Sequence, residues 1–326
     1  MGKPLRPPTT DSQEDGLNRT QWRALVAWRP AWGPRPPRLT PLTPEASSRR
    51  YLRATDGDGS VVLQLHPRPI PADDPFLRLQ RWLAEGGWPV VRVVTALPDA
   101  AIVVLEDLGD TCLSAATEID YEEAIDLLAD LHRLDPTGAP LAPPFDAHLF
   151  RVELRLFLDT FTALTGWRRG AHAEAVLGPV CDDLARLPQV VCHRDYHRRN
   201  LMVTGAGVRV IDFQDARLGP RAYDLASLLE DPYTTLPEAT RHGLRARYTA
   251  QAGEETPGYA LAACQRLMKA AGTYCNQRVA LGNPAYLEYV APALTRALEA
   301  ARHLTDDHPD LAPLLEELVA AWEQRG

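Results

Sequence analysis

Lysine is almost missing from this chain of 326 residues: only Lys3 and Lys269 occur, and the other basic residues are arginine. Any site built on a lysine therefore has two candidates. The pattern Gly-x-Gly-x-x-Gly is absent too, which excludes the glycine-rich phosphate loop of many nucleotide binders. No run reaches 18 apolar residues, so no segment reads as a membrane-spanning helix. Met1 to Gly16 is polar and proline-rich and lacks the apolar core of a signal peptide. Residues 1–18 read as a disordered tail, and the protein as cytoplasmic. The five cysteines are odd in number and lack Cys-x-x-Cys spacing, which argues against a disulfide framework or structural zinc. Excess positive charge is lacking as well: the net charge is −8, which disfavours nucleic acid as the main partner. What is left, at 45% hydrophobic and 24% charged residues, is a globular chain long enough for two lobes.

The chemistry is concentrated in one stretch. His193-Arg194-Asp195-Tyr196-His197-Arg198-Arg199-Asn200, followed by Asp212-Phe213, fits the kinase catalytic-loop pattern His-Arg-Asp-x-x-x-x-Asn with a metal-binding Asp-Phe beyond it. Leu201-Met202-Val203 and Val208-Arg209-Val210-Ile211 are β-prone runs, and Thr204-Gly205-Ala206-Gly207 supplies a reversal. An antiparallel hairpin is expected, placing Asn200 opposite Asp212 at roughly 4.5–5.5 Å between α-carbons. An amide oxygen and a carboxylate then converge as ligands for magnesium. Asp195, just before the hairpin, is placed to accept a proton from, or to orient, a hydroxyl attacking a metal-bound γ-phosphate. Positioning and charge neutralisation matter more than base strength in such a transfer. Two other readings exist. His193, Asp195 and His197 alternate as in a hydrolase metal cluster, but that leaves Asn200 and Asp212 unexplained; a charge-rich surface loop would match four residue types by accident. His193 reads as a support packed beneath the loop, and His197 as loop scaffolding or a neighbour of the substrate.

Around this stretch, a short helix is expected over Arg19 to Trp32, then strands at Arg38 to Leu42, Arg50 to Ala54 and Val61 to Leu65, the last two joined by Asp56-Gly57-Asp58-Gly59. A helix from Asp74 to Glu85 stops at Gly86-Gly87, and Val90 to Thr95 and Ala101 to Leu105 complete a five-stranded antiparallel sheet. Glu106-Asp107-Leu108-Gly109 follows as a polar connector. Helices are expected at 121–133, 149–165, 171–187, 223–229, 237–252, 259–281, 285–304 and 309–324. The expected fold class is α+β, and the order of elements resembles a bilobal, protein-kinase-like fold, with a small antiparallel-sheet N-lobe over 19–108 and a mostly helical C-lobe over 109–326.

On the catalytic-loop run, Ser48-Arg49-Arg50-Tyr51-Leu52-Arg53, Ile211-Asp212-Phe213-Gln214-Asp215-Ala216, Gly219-Pro220 and Tyr223-Asp224-Leu225, the chain resembles the aminoglycoside phosphotransferase family over nearly its full length. Within that family it is similar to the bacterial N-acetylmuramate/N-acetylglucosamine anomeric kinases. The resemblance implies ATP and Mg2+ as cofactors, Asp195 orienting the anomeric hydroxyl of an amino sugar, Asn200 and Asp212 holding magnesium, and Asp224 accepting backbone hydrogen bonds from the catalytic loop. Asp224 also reads as an ordinary helix N-terminal acid. Glu106 and Leu108 lie where backbone groups would meet adenine. Gln214, Asp215 and Arg217 sit past the metal site, where a substrate would be touched; Arg217 or Arg221 could pair with a lactyl carboxylate, but each reads in preference as a solvated surface charge. The kinase lysine of the third strand is missing, since that strand reads Val62-Leu63-Gln64. Ser47 and Ser48 with Arg50 are the substitutes expected at the phosphates. A monomer is expected, with a small-molecule substrate and no nucleic-acid or membrane partner. Kinases of aminoglycoside or choline-like alcohols, and a catalytically silent nucleotide-binding fold, are the alternatives.

Overall fold

The computed structural model describes residues 16–28, 37–42, 50–57, 59–114 and 117–325. The chain divides into two compact units, Met1–Asp110 and Thr111–Gly326. Among the described residues, no helix is long and apolar enough to cross a membrane.

The first unit is one five-stranded antiparallel sheet in the order β1-β2-β3-β5-β4, with β1 Arg38–Leu42, β2 Arg50–Asp56, β3 Gly59–Leu65, β4 Val93–Leu97 and β5 Ile102–Glu106. Alternation on β2 and β3 buries Leu52, Ala54, Val61, Leu63 and Leu65, and helix α1 (Arg19–Trp28) closes that core with Leu25. Gly16 to Asn18, expected in the tail, are packed instead. Leu17 is buried in the same core, and Asn18 and Gln21 exchange backbone N–H to side-chain bonds of 3.0 and 2.9 Å, a reciprocal cap on α1. Helix α2 (Pro75–Glu85) starts at Asp74, whose carboxylate accepts the Leu77 N–H at 3.1 Å, and buries Phe76, Leu79 and Leu83. β4 begins three residues later than expected, because Val90 and Val91 are buried ahead of it and a bulge follows Val93.

The second unit is helical: α3 Glu118–Leu131, α4 Ala147–Thr165, α5 Gly170–Arg186, α6 Arg221–Leu229, α7 Glu238–Ala252, α8 Tyr259–Leu281, α9 Val290–Ala301 and α10 Leu311–Glu323. Two small ladders carry the functional loop. β6 (Gln189–Cys192) pairs with β9 (Arg217–Pro220), and β7 (Leu201–Thr204) pairs with β8 (Gly207–Val210). The β6–β9 pair was not expected from the sequence. Helix α8 runs through the core and crosses α4 closely at Gly272, where an added Cβ would lie 2.7 Å from the Phe157 α-carbon. That close approach carries the preceding turn of α8 to the loop between β6 and β7.

Candidate active site

The loop leaves β6 under tension. Arg194 has φ +81°, left-handed for a residue that carries a side chain, which costs about 1–2 kcal/mol. Asp224, fully buried on α6, holds it there by accepting the His193 N–H at 2.5 Å and the Arg194 N–H at 2.9 Å. His193 is buried beneath the loop, and its Nε2 lies 2.9 Å from the Ile211 carbonyl, an acceptor only, so this nitrogen donates. Its Nδ1 is then the acceptor for the Asp195 N–H at 3.3 Å. One imidazole thus ties the Asp195 backbone to the residue preceding Asp212.

The hairpin pairs Leu201 with Val210 and Thr204 with Gly207, which sets Asn200 opposite Ile211 and not, as expected, opposite Asp212. The reversal is a two-residue turn at Gly205-Ala206, one register tighter than a pairing of Asn200 with Asp212 requires. The Ile211 N–H donates to the Asn200 carbonyl at 3.0 Å, and Asp212 leaves the ladder with φ +63°. The buried Asn200 side chain donates from Nδ2 to the Asp195 carbonyl at 2.8 Å, which leaves Oδ1 as the atom for a cation. Asp212 Oδ1 accepts the Gln214 amide at 2.6 Å. The donors here are all oxygen, so the residues fit a hard divalent cation such as magnesium.

Asp195 itself is gripped from α8. Lys269 Nζ lies 2.6 Å from Asp195 Oδ1 and an Arg266 guanidinium nitrogen 3.4 Å from the same oxygen. Burial alone would raise this carboxyl, but Lys269, Arg266 and Arg194 together hold it well below the usual carboxylate range. Arg266 is fixed by Ser227 Oγ at 2.8 Å. Arg194 is held by Glu153 of α4 at 3.0 Å and by Asp215 at 3.3 Å, and Gln265 donates to the other Glu153 oxygen at 3.0 Å. Sequence reasoning missed Glu153, Gln265, Arg266 and Lys269. It also missed Asp231, which accepts the Arg198 and Tyr233 N–H groups at 3.1 and 2.9 Å and so pins the loop's other end.

His197 is half-buried beside Asp195, and burial, then the Arg266 cation, push its pKa down to about 3. Its Nδ1 has no hydrogen-bond partner among the described residues. Its ring lies 5.8 Å from that of Tyr233, over which the Arg199 guanidinium stacks at 3.6 Å. Gln214 and Asp215 follow Asp212 closely, with Asp215 about half exposed. Arg217, expected to touch substrate, is turned inward: it is 7% exposed and donates to the Asp215 and Pro143 carbonyls at 3.0 and 3.3 Å. Arg221 faces Glu254 at 3.4 Å.

In the first unit, Gln64 is buried, donating to Tyr51 Oη at 2.9 Å and lying 3.0 Å from His66 Nε2. The third strand thus carries no cation at that position. The connector after β5 is shaped by Arg53, whose guanidinium binds Asp107 at 2.7 Å, Asp110 at 2.8 Å and the Gly109 carbonyl at 3.1 Å. Gly109 has φ +78°, and its N–H donates to Asp107 at 3.0 Å. Glu106 accepts the Arg92 N–H at 2.7 Å through its side chain, and Leu108 is half-buried on the connector. Arg50 is exposed at the start of β2, whereas Ser47 and Ser48 lie outside the described residues.

Known proteins of similar sequence and fold point the same way. The model of the phosphotransferase enzyme family matches residues 38–263. The N-acetylmuramate/N-acetylglucosamine kinase of Pseudomonas aeruginosa is 33% identical over 315 residues, covering 90% of this chain and 91% of that protein. The kinase of the same name from Neisseria meningitidis is 32% identical, with 86% and 90% covered. Among solved structures, choline kinase from Streptococcus pneumoniae aligns with a TM-score of 0.61 at 13% identity, over 89% of this chain and 100% of that one. A spectinomycin phosphotransferase in complex with ADP and spectinomycin aligns with a TM-score of 0.61 at 15% identity, over 84% and 98%. These last two likenesses establish a shared fold of the protein-kinase-like kind.

Proposed function

The chain belongs to the phosphotransferase enzyme family, and we propose that it transfers the γ-phosphoryl group of ATP to the anomeric hydroxyl of N-acetylmuramate or N-acetylglucosamine, as a cytoplasmic step of peptidoglycan recycling. The observation that carries the reading is the placement of Asp195: its backbone is hung on buried His193 and Asp224, and its carboxylate is fixed by Lys269 and Arg266.

Both cations bind Oδ1 of Asp195, so Oδ2 is the atom that meets the sugar hydroxyl. A carboxylate held this far below its usual range is a weak base, and its work is to aim the hydroxyl oxygen at the phosphorus. A loose transition state suits that role, since the proton leaves late and alignment supplies most of the advantage. Asn200 and Asp212 would hold magnesium, which would neutralise the phosphate charge. Gln214 keeps the Asp212 carboxylate in orientation. Neutral His197 lies beside Asp195 as a neighbour of the sugar, and Gln214 and Asp215 are the other substrate-side polar groups. The nucleotide is assigned to the backbone of Glu106 and Leu108 for adenine, and to Ser47, Ser48 and Arg50 for phosphates. Arg217, turned inward, supports the Asp215 turn and is left out of the substrate set.

Purified protein with MgATP should release ADP with N-acetylmuramate and N-acetylglucosamine, and not with glucose, choline or kanamycin. ADP release with choline or kanamycin alone would overturn the substrate assignment; none with any acceptor would overturn the activity.

A further inference from the structure

Lys269 sits on the reacting carboxylate, yet charge pairing of that carboxylate does not require it. Arg266 already reaches the same Asp195 oxygen, and Arg194 stands beside it. Around Asp195 three cations, Arg194, Arg266 and Lys269, face two buried or partly buried carboxylates, Asp195 and Glu153. Asp215, which also meets Arg194, is about half exposed and is shared with a fourth cation, Arg217. Nearby Asp231 accepts the Arg198 backbone N–H and faces both Arg266 and Arg198, so five cations, Arg194, Arg198, Arg217, Arg266 and Lys269, stand against four carboxylates, Asp195, Glu153, Asp215 and Asp231, and His197 is neutral. One positive charge is therefore in excess in a place where an unpaired charge is expensive, which is the setting for an incoming anion. Of the three cations, Lys269 is the one whose charged group has no second polar anchor among the described residues: Arg194 is fixed by Glu153 and Arg266 by Ser227. Its flexible four-carbon stem lets the ammonium change partners, which a doubly held guanidinium does not.

Building on the phosphotransferase reading, we propose that Lys269 is a catalytic cation that passes from Asp195 to the transferred phosphoryl group during the reaction. The sugar O–P bond forms, the bond from the γ-phosphorus to the β–γ bridging oxygen breaks, and its electron pair leaves on ADP. The hydroxyl proton moves to Asp195 Oδ2. Asp195 then no longer neutralises Lys269, at the moment when the sugar phosphate needs a counter-charge, so the ammonium moves onto the product phosphate. Such a swap places stabilisation in the transition state and product, not in the bound sugar.

The test compares wild type with Lys269→Met and Lys269→Arg, each checked for an unchanged far-UV spectrum and melting transition. Lys269→Met should lower kcat about 10²–10³-fold, the scale of one lost oxyanion donor, while the KM for the sugar stays within about threefold. The sugar 1-phosphate, used as a product inhibitor, should bind Lys269→Met at least about tenfold more weakly, and Lys269→Arg should recover part of both losses. A merely structural lysine would leave product affinity following sugar affinity. Turnover by Lys269→Met within about threefold of wild type, or unchanged product inhibition, overturns the proposal. If wild type uses another alcohol and no amino sugar, the substrate reading fails and the same comparison is made on that acceptor with its phosphorylated product. Should wild type phosphorylate nothing, both fall. If Lys269→Met does not fold, Lys269→Arg decides by the same product-inhibition ratio, and an unchanged ratio again overturns the proposal.

Discussion

Replacing Asp224 by asparagine tests the support of the loop. The wild-type carboxylate is fully buried and accepts two backbone N–H groups, from His193 and Arg194. An amide keeps one acceptor oxygen and turns an NH2 toward the other donor. The loss is one charge-assisted hydrogen bond, about 1.5–3 kcal/mol, and an unsatisfied buried donor pair adds about 1–3 kcal/mol. Recovery of the carboxylate's desolvation offsets part of this. A net destabilisation of about 3 kcal/mol is expected, or roughly 6–12 °C in Tm at 2–4 °C per kcal/mol for a unit of this size. The same change removes the force holding Arg194 at φ +81°, so the loop relaxes and Asp195 shifts. Turnover should therefore fall by more than the unfolded fraction explains. Calorimetry and steady-state kinetics at a temperature well below the mutant's transition separate the two effects. A Tm within about 1–2 °C of wild type with full turnover would refute the reasoning.

Three further outcomes are expected. Asp195→Asn should fold but lose roughly 10²–10⁴ in kcat, measured by coupled ADP release; retained turnover removes Asp195 from its role. Gly272→Ala should cost stability through overpacking against Phe157 by about 1–3 kcal/mol, offset by up to about 1 kcal/mol of helix propensity, and an unchanged denaturation midpoint would contradict the tight α4–α8 crossing. Stability should fall on acidification. Burial holds His132 below the usual histidine value, and burial and Arg266 hold His197 at about 3. Below about pH 6.5 the unfolded chain takes up protons that the folded chain refuses, at up to about 1.4 kcal/mol per histidine per pH unit. Burial raises the Asp231 carboxyl, which opposes this in part. The urea midpoint should be lower at pH 5.5 than at pH 7.5 with the same slope; an equal midpoint rejects the assignment.

Much of the frame is legible in the residues. Periodicity and stop signals predict α8 over Tyr259–Leu281 as found, and the bounds of β1 likewise. The antiparallel hairpin forms, but its register is one residue off, because glycines on both sides of a turn leave its length open. β6 and β9 escape because four-residue strands such as Gln189–Cys192 and Arg217–Pro220 show no alternation, and one ends in proline. Asn18 and Gln21 carry a capping signal that the proline-rich tail obscures. Lys269 and Arg266 were out of reach for a different reason. They stand more than 70 residues from Asp195 in the chain, and only the packing of α8 in the fold brings them to it. Their one local signal is Gln265, Arg266 and Lys269 within about a turn, in a stretch of α8 that is otherwise small and apolar from Leu261 to Gly272.

The most direct test of the central claim is the position of the phosphate. With MgATP and N-acetylglucosamine, phosphorus NMR of the product should show a phosphate coupled to the anomeric proton, and the signal should disappear with Asp195→Asn. A phosphate on any other sugar oxygen, or equal product from the variant, would contradict the account.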